Sequence, residues 1–429
     1  MRDLSPFASS FLSVARTLRC SPCSASAASF LSQHVHAHPH ILVSHTALKG
    51  MAIVTSERIP SGTKLLSVSQ QAWQPLSCPA PPPPANLIDA LKMAGDSQAR
   101  TAWTARLARF AYDTAVEGAT RKRDGSSCAC GFAPNTAQPP SGPTAYVRVT
   151  TPRADDVFFP IVHANTTRGE KALHATAAFA QVGSLARVCD AAGTALSDGS
   201  MTNDDFRHYF ATITSRAVSA EAAHGGAIFP GHDLLNHSSR ANAEASANNL
   251  DADDGALVVK AIADIGENEE ITISYSGNLT ASKSFRLYGF VDGDDADADA
   301  VCIIGDDWKA VHAECVASGA PQAILDSVEN AANQSAIIVP ANLNGVAELA
   351  GPLADAMRKA NVEASMATAT SAYITFAVLR AAASRLVMES DSDDHDDKLD
   401  GAFELGARAV KRAEGKACLS LSETLSSMM

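Results

Sequence analysis

Asp233-Leu234-Leu235-Asn236-His237-Ser238 is the stretch that decides how this chain folds. Asn236 offers an amide donor and a carbonyl acceptor, and His237 offers both functions through its backbone or ring. An Asn-His dipeptide alone carries little. Here Asn242 lies downstream, and beyond it a strand-like segment, Ile271-Thr272-Ile273-Ser274-Tyr275, in which Ile271, Ile273 and Tyr275 alternate with Thr272 and Ser274. Tyr288-Gly289-Phe290-Val291 closes the series, and Leu48-Lys49-Gly50-Met51-Ala52 opens it far upstream.

Around these blocks the chain alternates between two kinds of pattern. From Ile41 to Val68 it reads as β segments, with apolar runs Met51 to Val54 and Leu65 to Val68 on either side of the turn Ile59-Pro60-Ser61-Gly62. The proline run Pro79 to Pro84 can join neither a ladder nor a helix and marks a boundary. Leu87, Leu91, Trp103, Leu107, Phe110 and Tyr112 have helical spacing, interrupted near Gly95. The stretch from Gly118 to Pro143 reads as loop. Helical pattern returns from Ala172 to Val188 and again from Thr202, where Thr202 and Asp205 suit a capping box ahead of Phe206, Tyr209, Phe210 and Ile213. Strand-like runs reappear at Ala227 to Phe229, Ala256 to Ile262 and Ile271 to Tyr275, so β material brackets a helical middle. From Val301 to Met429, alanine, leucine and charged residues at helical spacing predict a separate helical domain.

With 429 residues, 46% of them hydrophobic, the chain can bury a sizeable core. Its longest apolar run, Ile374 to Met388, is broken by Arg380 and Arg385 and reads as a buried helix rather than a membrane span. A net charge of −13 argues against nucleic acid as a partner, since phosphate binding needs clustered lysine and arginine, and favours a basic protein segment. Much of that charge lies in two acidic runs, Asp292 to Asp299 and Glu389 to Asp397, which read as solvated loops. Nine cysteines without framework spacing read as reduced thiols, and neither Cys20-Cys23 nor Cys128-Cys130 has a second pair at zinc-site spacing. No metal site is expected. The first thirty residues are rich in serine and alanine, carry Arg2, Arg16 and Arg19 and have the single acid Asp3. That composition suits an organelle transit peptide or a disordered N-terminus. His34, His36, His38 and His40 would share one strand face if Val35 to Val43 is extended, without a carboxylate or cysteine to complete a metal site.

The blocks around Leu48 to Ala52, Asp233 to Ser238, Ile271 to Tyr275 and Tyr288 to Val291, in this order, resemble the signature blocks of the SET domain. They look specifically like those of the class similar to the Rubisco large-subunit lysine methyltransferase, in which a helical insert splits the SET core. The resemblance implies an α+β fold: a β-rich core of small sheets with a knot-like crossing, split by a helical insert and followed by an all-α C-terminal domain that binds substrate. Mapped onto this chain, residues 1–30 are the leader or disordered segment, 31–85 the first part of the core, 86–225 the insert, 226–291 the second part and 292–429 the C-terminal domain.

By the same resemblance, S-adenosylmethionine is the cofactor and a protein is the methyl acceptor. Leu48 and Gly50 would form the first cofactor loop, with Leu48 standing where the family usually has glycine. Ser215 would border the cofactor and Arg216 the substrate. Asn236, His237 and Phe290 would bind the cofactor, Tyr288 would line the substrate channel, and Tyr275 would serve both catalysis and cofactor binding. Asn268-Glu269-Glu270 stands where the family has a Gly-Glu-Glu turn, and asparagine is the non-glycine residue best able to take up that left-handed backbone. The expected activity is protein-lysine N-methylation of a non-histone protein by a monomer in a plastid or other organelle, or in the cytoplasm. The alternatives are a protein-histidine methyltransferase and a SET-like binding module that has lost catalysis. A zinc hydrolase built on His232 and His237 is excluded by spacing, because ligating histidines on one helix face sit four apart.

Overall fold

In a computed structural model of the chain, the residues described are 4–18, 21–46, 50–69, 72, 74–75, 85–96, 104–112, 142–151, 159–164, 166–197, 202–218, 227–248, 256–277, 279–292, 297–334, 336–392 and 402–428. They form two compact units. The first comprises Met1–Val162 with Ser184–Gly277, and the second His163–Gly183 with Asn278–Met429.

The first unit is built on a four-stranded antiparallel sheet in the order β1 (Val35–Ala37), β4 (Lys64–Ser69), β9 (Ala256–Ala261) and β8 (Ala243–Asn248). Leu65, Leu66, Val68, Leu257, Val258 and Val259 are buried, which explains why β4 and β9 read as near-continuous apolar runs. A hairpin, β2 (Ile41–Thr46) with β3 (Gly50–Thr55), buries Ile41, Val43, Ala52 and Ile53 in the same core. The turn expected at Gly62 is present, with φ of 81° that glycine adopts without strain. Two further strand pairs are β5 (Gln74–Pro75) with β6 (Ala227–Ile228) and β7 (Asn236–His237) with β10 (Thr272–Ile273), the latter parallel. The helices expected between residues 86 and 118 appear as α3 (Ala85–Met93) and α4 (residues 104–112), with Gly95 at φ 89° after the first. They are followed by α5 (Gly142–Thr150), α6 (Pro160–His163), α7 (Thr167–Leu173), α8 (Ala177–Leu196) and α9 (Asn203–Arg216). The α7 residues and the start of α8 fall in the second unit. The Asp205 side chain of the expected capping box lies outside the described residues.

Two expectations differ from the structure in this unit. The described N-terminal residues are not irregular: α1 (Pro6–Leu18) and α2 (Ser21–His34) are helices with side chains buried in the core. Phe7, Phe11 and Ala15 recur at helical spacing on the buried face of α1, and Ala27, Ala28, Phe30 and Leu31 are buried from α2. Nor do the four histidines share a strand face. His34 ends α2, β1 stops at Ala37, and a turn follows in which the His40 N–H donates to His38 Nδ1 at 3.3 Å.

The second unit bears out the helical C-terminal domain and adds a two-stranded antiparallel ribbon, β11 (Ala300–Ile303) with β12 (Ile337–Pro340). Its helices are α10 (Ala281–Tyr288), α11 (Gly305–Ala317), α12 (Gln322–Ala332), α13 (Leu343–Lys359), α14 (Ala364–Ser392) and α15 (Ala402–Met428). The apolar run from Ile374 lies in α14 and buries Ile374, Val378, Leu379, Ala382 and Leu386 in the unit's core. Arg385, which interrupts the run, donates to Asp307 Oδ1 at 2.9 Å and to the Cys302 carbonyl at 3.1 Å, so its charge is matched inside the fold. Cys189, Cys302, Cys315 and Cys418 are free and buried. The side chains of Cys20, Cys23, Cys78, Cys128 and Cys130 lie outside the described residues.

Glu414 of α15 is completely buried and accepts the N–H groups of Ala177 at 2.9 Å and Ala178 at 3.2 Å, at the start of α8. Burial outweighs those two bonds and pushes its carboxyl up to about 8. The folded protein therefore holds a proton there that the unfolded chain gives up near 4.5, and stability falls as pH rises from 4.5 to about 8. Between pH 6.5 and 8 the expected loss is about 2 kcal/mol, at ~1.4 kcal/mol per pH unit. Urea denaturation of wild type and Glu414→Gln at both pH values checks this: the variant should lose most of the dependence, and an equal slope in both proteins would refute it.

Candidate functional site

The Asn236-His237 segment is delivered by a short buried turn. Gly231 has φ of 85°, His232–Leu234 form one 3-10 turn, and Leu234 and Leu235 are buried beneath the backbone. β7 then pairs in parallel with β10, Asn236 opposite Thr272 and His237 opposite Ile273, and the Ser238 N–H extends the pairing to the Ile273 carbonyl at 3.2 Å.

This pairing brings Tyr275 back over the turn. Its hydroxyl donates to the Leu235 carbonyl at 2.7 Å, its N–H donates to His237 Nδ1 at 3.1 Å, and the two rings lie 5.2 Å apart. Because His237 Nδ1 accepts, the neutral ring carries its proton on Nε2. Asn236-His237 and Tyr275, 38 positions downstream of His237, are thus one constellation. The Asn236 amide donates to Glu270 Oε1 at 2.6 Å. Asn242 clamps the same turn from behind: its side chain donates to Glu269 and to the Glu270 carbonyl, and accepts the Thr272 N–H at 2.9 Å. Asn268 has φ of 59°, the left-handed conformation expected of it. Neighbouring Glu269 folds back to accept the Gly266 N–H at 2.7 Å.

The remaining expected site residues fall in three places. Gly50 opens β3 with φ of 72°, which glycine permits at the end of the 47–49 connection, whereas Leu48 and Lys49 lie outside the described residues. Ser215 and Arg216 end α9. The Ser215 hydroxyl donates to Thr212 of its own helix at 2.9 Å. Arg216, expected at the substrate, directs its guanidinium inward, donating to the Thr150 carbonyl at 2.5 Å and lying 3.5 Å from the Asp233 carboxylate. Tyr288 and Phe290 belong to the second unit, flanking Gly289, which ends α10 at φ 79°, and their rings pair at 5.9 Å. Burial raises the Tyr288 phenol above its ordinary value.

Sequence reading missed one buried group, Tyr146 of α5. Its hydroxyl donates to Asp233 Oδ1 and accepts the Gly231 N–H at 2.9 Å. The Asp233 side chain is 1% exposed; burial pushes its carboxyl up, while Arg216 and the Tyr146 hydroxyl pull it down. The one local signal was Asp233 itself, an acid beside two leucines that needed a partner on burial. His232 next to it is held neutral by burial, its pKa lowered to about 4.

A core of small sheets, in which a short Asn-His strand runs parallel to the strand leading into a tyrosine, defines a SET-type protein. The SET domain model matches residues 50–276, more than half of the 429-residue chain, and the chain belongs to the SET domain family. Among solved structures it is similar to the SET domain of LSMT bound to lysine and AdoHcy, with 14% identity and TM-score 0.53 over 94% of this chain and 92% of that one. Rubisco LSMT bound to sinefungin and monomethyllysine aligns with 14% identity and TM-score 0.53, and Rubisco LSMT bound to AdoMet with 14% identity and TM-score 0.52. Each of these two alignments covers 95% of this chain and 92% of the other. A comparison with curated proteins gave no match.

Proposed function

We propose that this chain transfers a methyl group from S-adenosylmethionine to a lysine side chain of a non-histone protein. Membership of the SET domain family supports methyl transfer, and the LSMT structures that share the fold hold lysine with AdoHcy, monomethyllysine with sinefungin, or AdoMet. The observation that carries the reading is the tether on Tyr275. Its phenolic proton is given to the Leu235 carbonyl at 2.7 Å, which turns the oxygen lone pairs away from that carbonyl.

Those lone pairs suit the chemistry. In methyl transfer an amine attacks the methyl carbon in line with the leaving sulfur: the N–C bond forms as the C–S bond breaks, and the sulfur keeps the electron pair. The positive charge on the methyl favours an oxygen acceptor beside it, and a fixed one stabilises the transition state without reorganising. The amine must arrive deprotonated, which costs a solvent-exposed lysine its proton at a pKa near ~10.4. Asn236 and His237 supply a donor and acceptors for the cofactor's polar end, and Gly50 the close backbone approach. Leu48 is assigned to the same loop, and Phe290 and Tyr288 to the cofactor cover and the lysine channel. A net charge of −13 favours a basic segment of a protein as the acceptor.

Asn236→Ala removes an amide whose place is set by Glu270, and it should weaken cofactor affinity about tenfold while leaving the fold intact. Equilibrium binding of the cofactor to the two proteins checks this. Acceptor identity is read by incubating wild type with methyl-labelled cofactor and fractionated lysate, hydrolysing the labelled protein and separating its amino acids. Label in methyllysine is expected. Label in methylhistidine would move the enzyme to histidine, and cofactor binding with no transfer to any fraction would contradict the reading.

A further inference from the structure

We infer that Tyr146 is a positioning residue for the Tyr275 hydroxyl, acting through the buried turn from Gly231 to Leu235, where its own hydroxyl bridges the Asp233 carboxylate and the Gly231 N–H. The inference rests on the methyl-transfer reading above for its consequence in catalysis, but its geometry stands apart from that reading.

The chain of contacts is short. Tyr146 is fully buried on α5, with its ring packed at 5.8 Å from Phe11 and 6.4 Å from Phe30, so the hydroxyl is held in one place. It donates to Asp233 and accepts the Gly231 N–H at 2.9 Å, tying the start of the turn to its middle. The turn is closed by the Leu235 N–H donating to the His232 carbonyl at 3.0 Å. The carbonyl of that same Leu235 receives the Tyr275 hydroxyl at 2.7 Å. Burial and the Asp233 charge keep the Tyr146 phenol protonated far above neutral pH, so it remains a donor wherever the enzyme works. Arg216 approaches Asp233 from the other side at 3.5 Å and is itself held by the Thr150 carbonyl of α5. Both supports of Asp233 therefore lean on α5, in the region between the two halves of the core. The Asn236 amide, by contrast, is anchored independently by Glu270. Loss of the Tyr146 hydroxyl should consequently disturb Tyr275 more than the cofactor contacts of Asn236.

Tyr146→Phe keeps the ring packing and removes only the hydroxyl. For this variant we expect kcat, counted per cofactor-binding molecule, to fall at least about tenfold while the cofactor dissociation constant changes less than about threefold. A purely structural role would lower the melting temperature and the bound fraction but leave kcat per competent molecule unchanged, and that result would overturn the inference. A second readout needs no activity. With ¹³Cζ-tyrosine, the resonance of Tyr275, assigned through Tyr275→Phe among the six tyrosines, should shift in Tyr146→Phe, since its hydroxyl acceptor moves. An unmoved Tyr275 resonance overturns the inference. If wild type binds no cofactor, the methyl-transfer reading fails, and the Tyr275 resonance still decides whether Tyr146 positions it.

Discussion

Tyr275→Phe should fold as wild type does and lose about a hundredfold in methyl transfer to protein. The ring, which lies tilted against His237 at 5.2 Å, stays in place, and the backbone N–H bond to His237 Nδ1 is untouched. What disappears is an oxygen fixed by the Leu235 carbonyl at 2.7 Å. Removing one preorganised polar group from a transition state costs ~2.7–4 kcal/mol in well-studied sites, and each ~1.4 kcal/mol is tenfold in rate. The measurement is incorporation of tritiated methyl at saturating cofactor, with circular dichroism and cofactor binding as controls. Equal rates in the two proteins would remove Tyr275 from the chemistry.

The second large effect concerns stability. Deleting residues 1–30 should abolish cooperative folding of the first unit, because α1 and most of α2 leave with Phe7, Phe11, Ala15, Ala27, Ala28 and Phe30. Burying one phenylalanine stabilises by ~1.5–3 kcal/mol. Three of them approach the ~5–15 kcal/mol that a whole domain has to spare. The deletion also uncovers Tyr146, whose ring rests on Phe11 and Phe30, and so reaches the turn before Asn236. Thermal unfolding followed by calorimetry is the check. A truncated protein that melts like the full chain would contradict this and favour a removable leader.

How much of this was legible in the sequence depended on whether a feature is local. The β3 and β4 runs, the Gly62 turn and the left-handed Asn268 are each decided within a few residues by alternation or by a backbone that only certain side chains tolerate. Asn236, His237 and Tyr275 could be named because their order matched a family, although nothing in their spacing announced that β7 and β10 would pair in parallel. The N-terminal helices were hidden by composition: serine and alanine masked the spacing of Phe7, Phe11 and Ala15, which is the helical signal. Tyr146 was out of reach for a different reason. It meets Asp233 across 87 positions, and the valines beside it, Val147 and Val149, have no strong helical preference of their own. Arg216 was expected at the substrate from its place in the family order, and its proximity to the buried Asp233 carboxylate, 3.5 Å away, is a tertiary contact that this order does not announce.

Titration of the purified wild-type chain with S-adenosylmethionine in a calorimeter tests the central claim most directly. Saturable binding at one site per chain, weakened in Asn236→Ala, is the result predicted for a SET-domain methyltransferase. Absence of binding by folded wild type would contradict it and leave the fold as a protein-binding module.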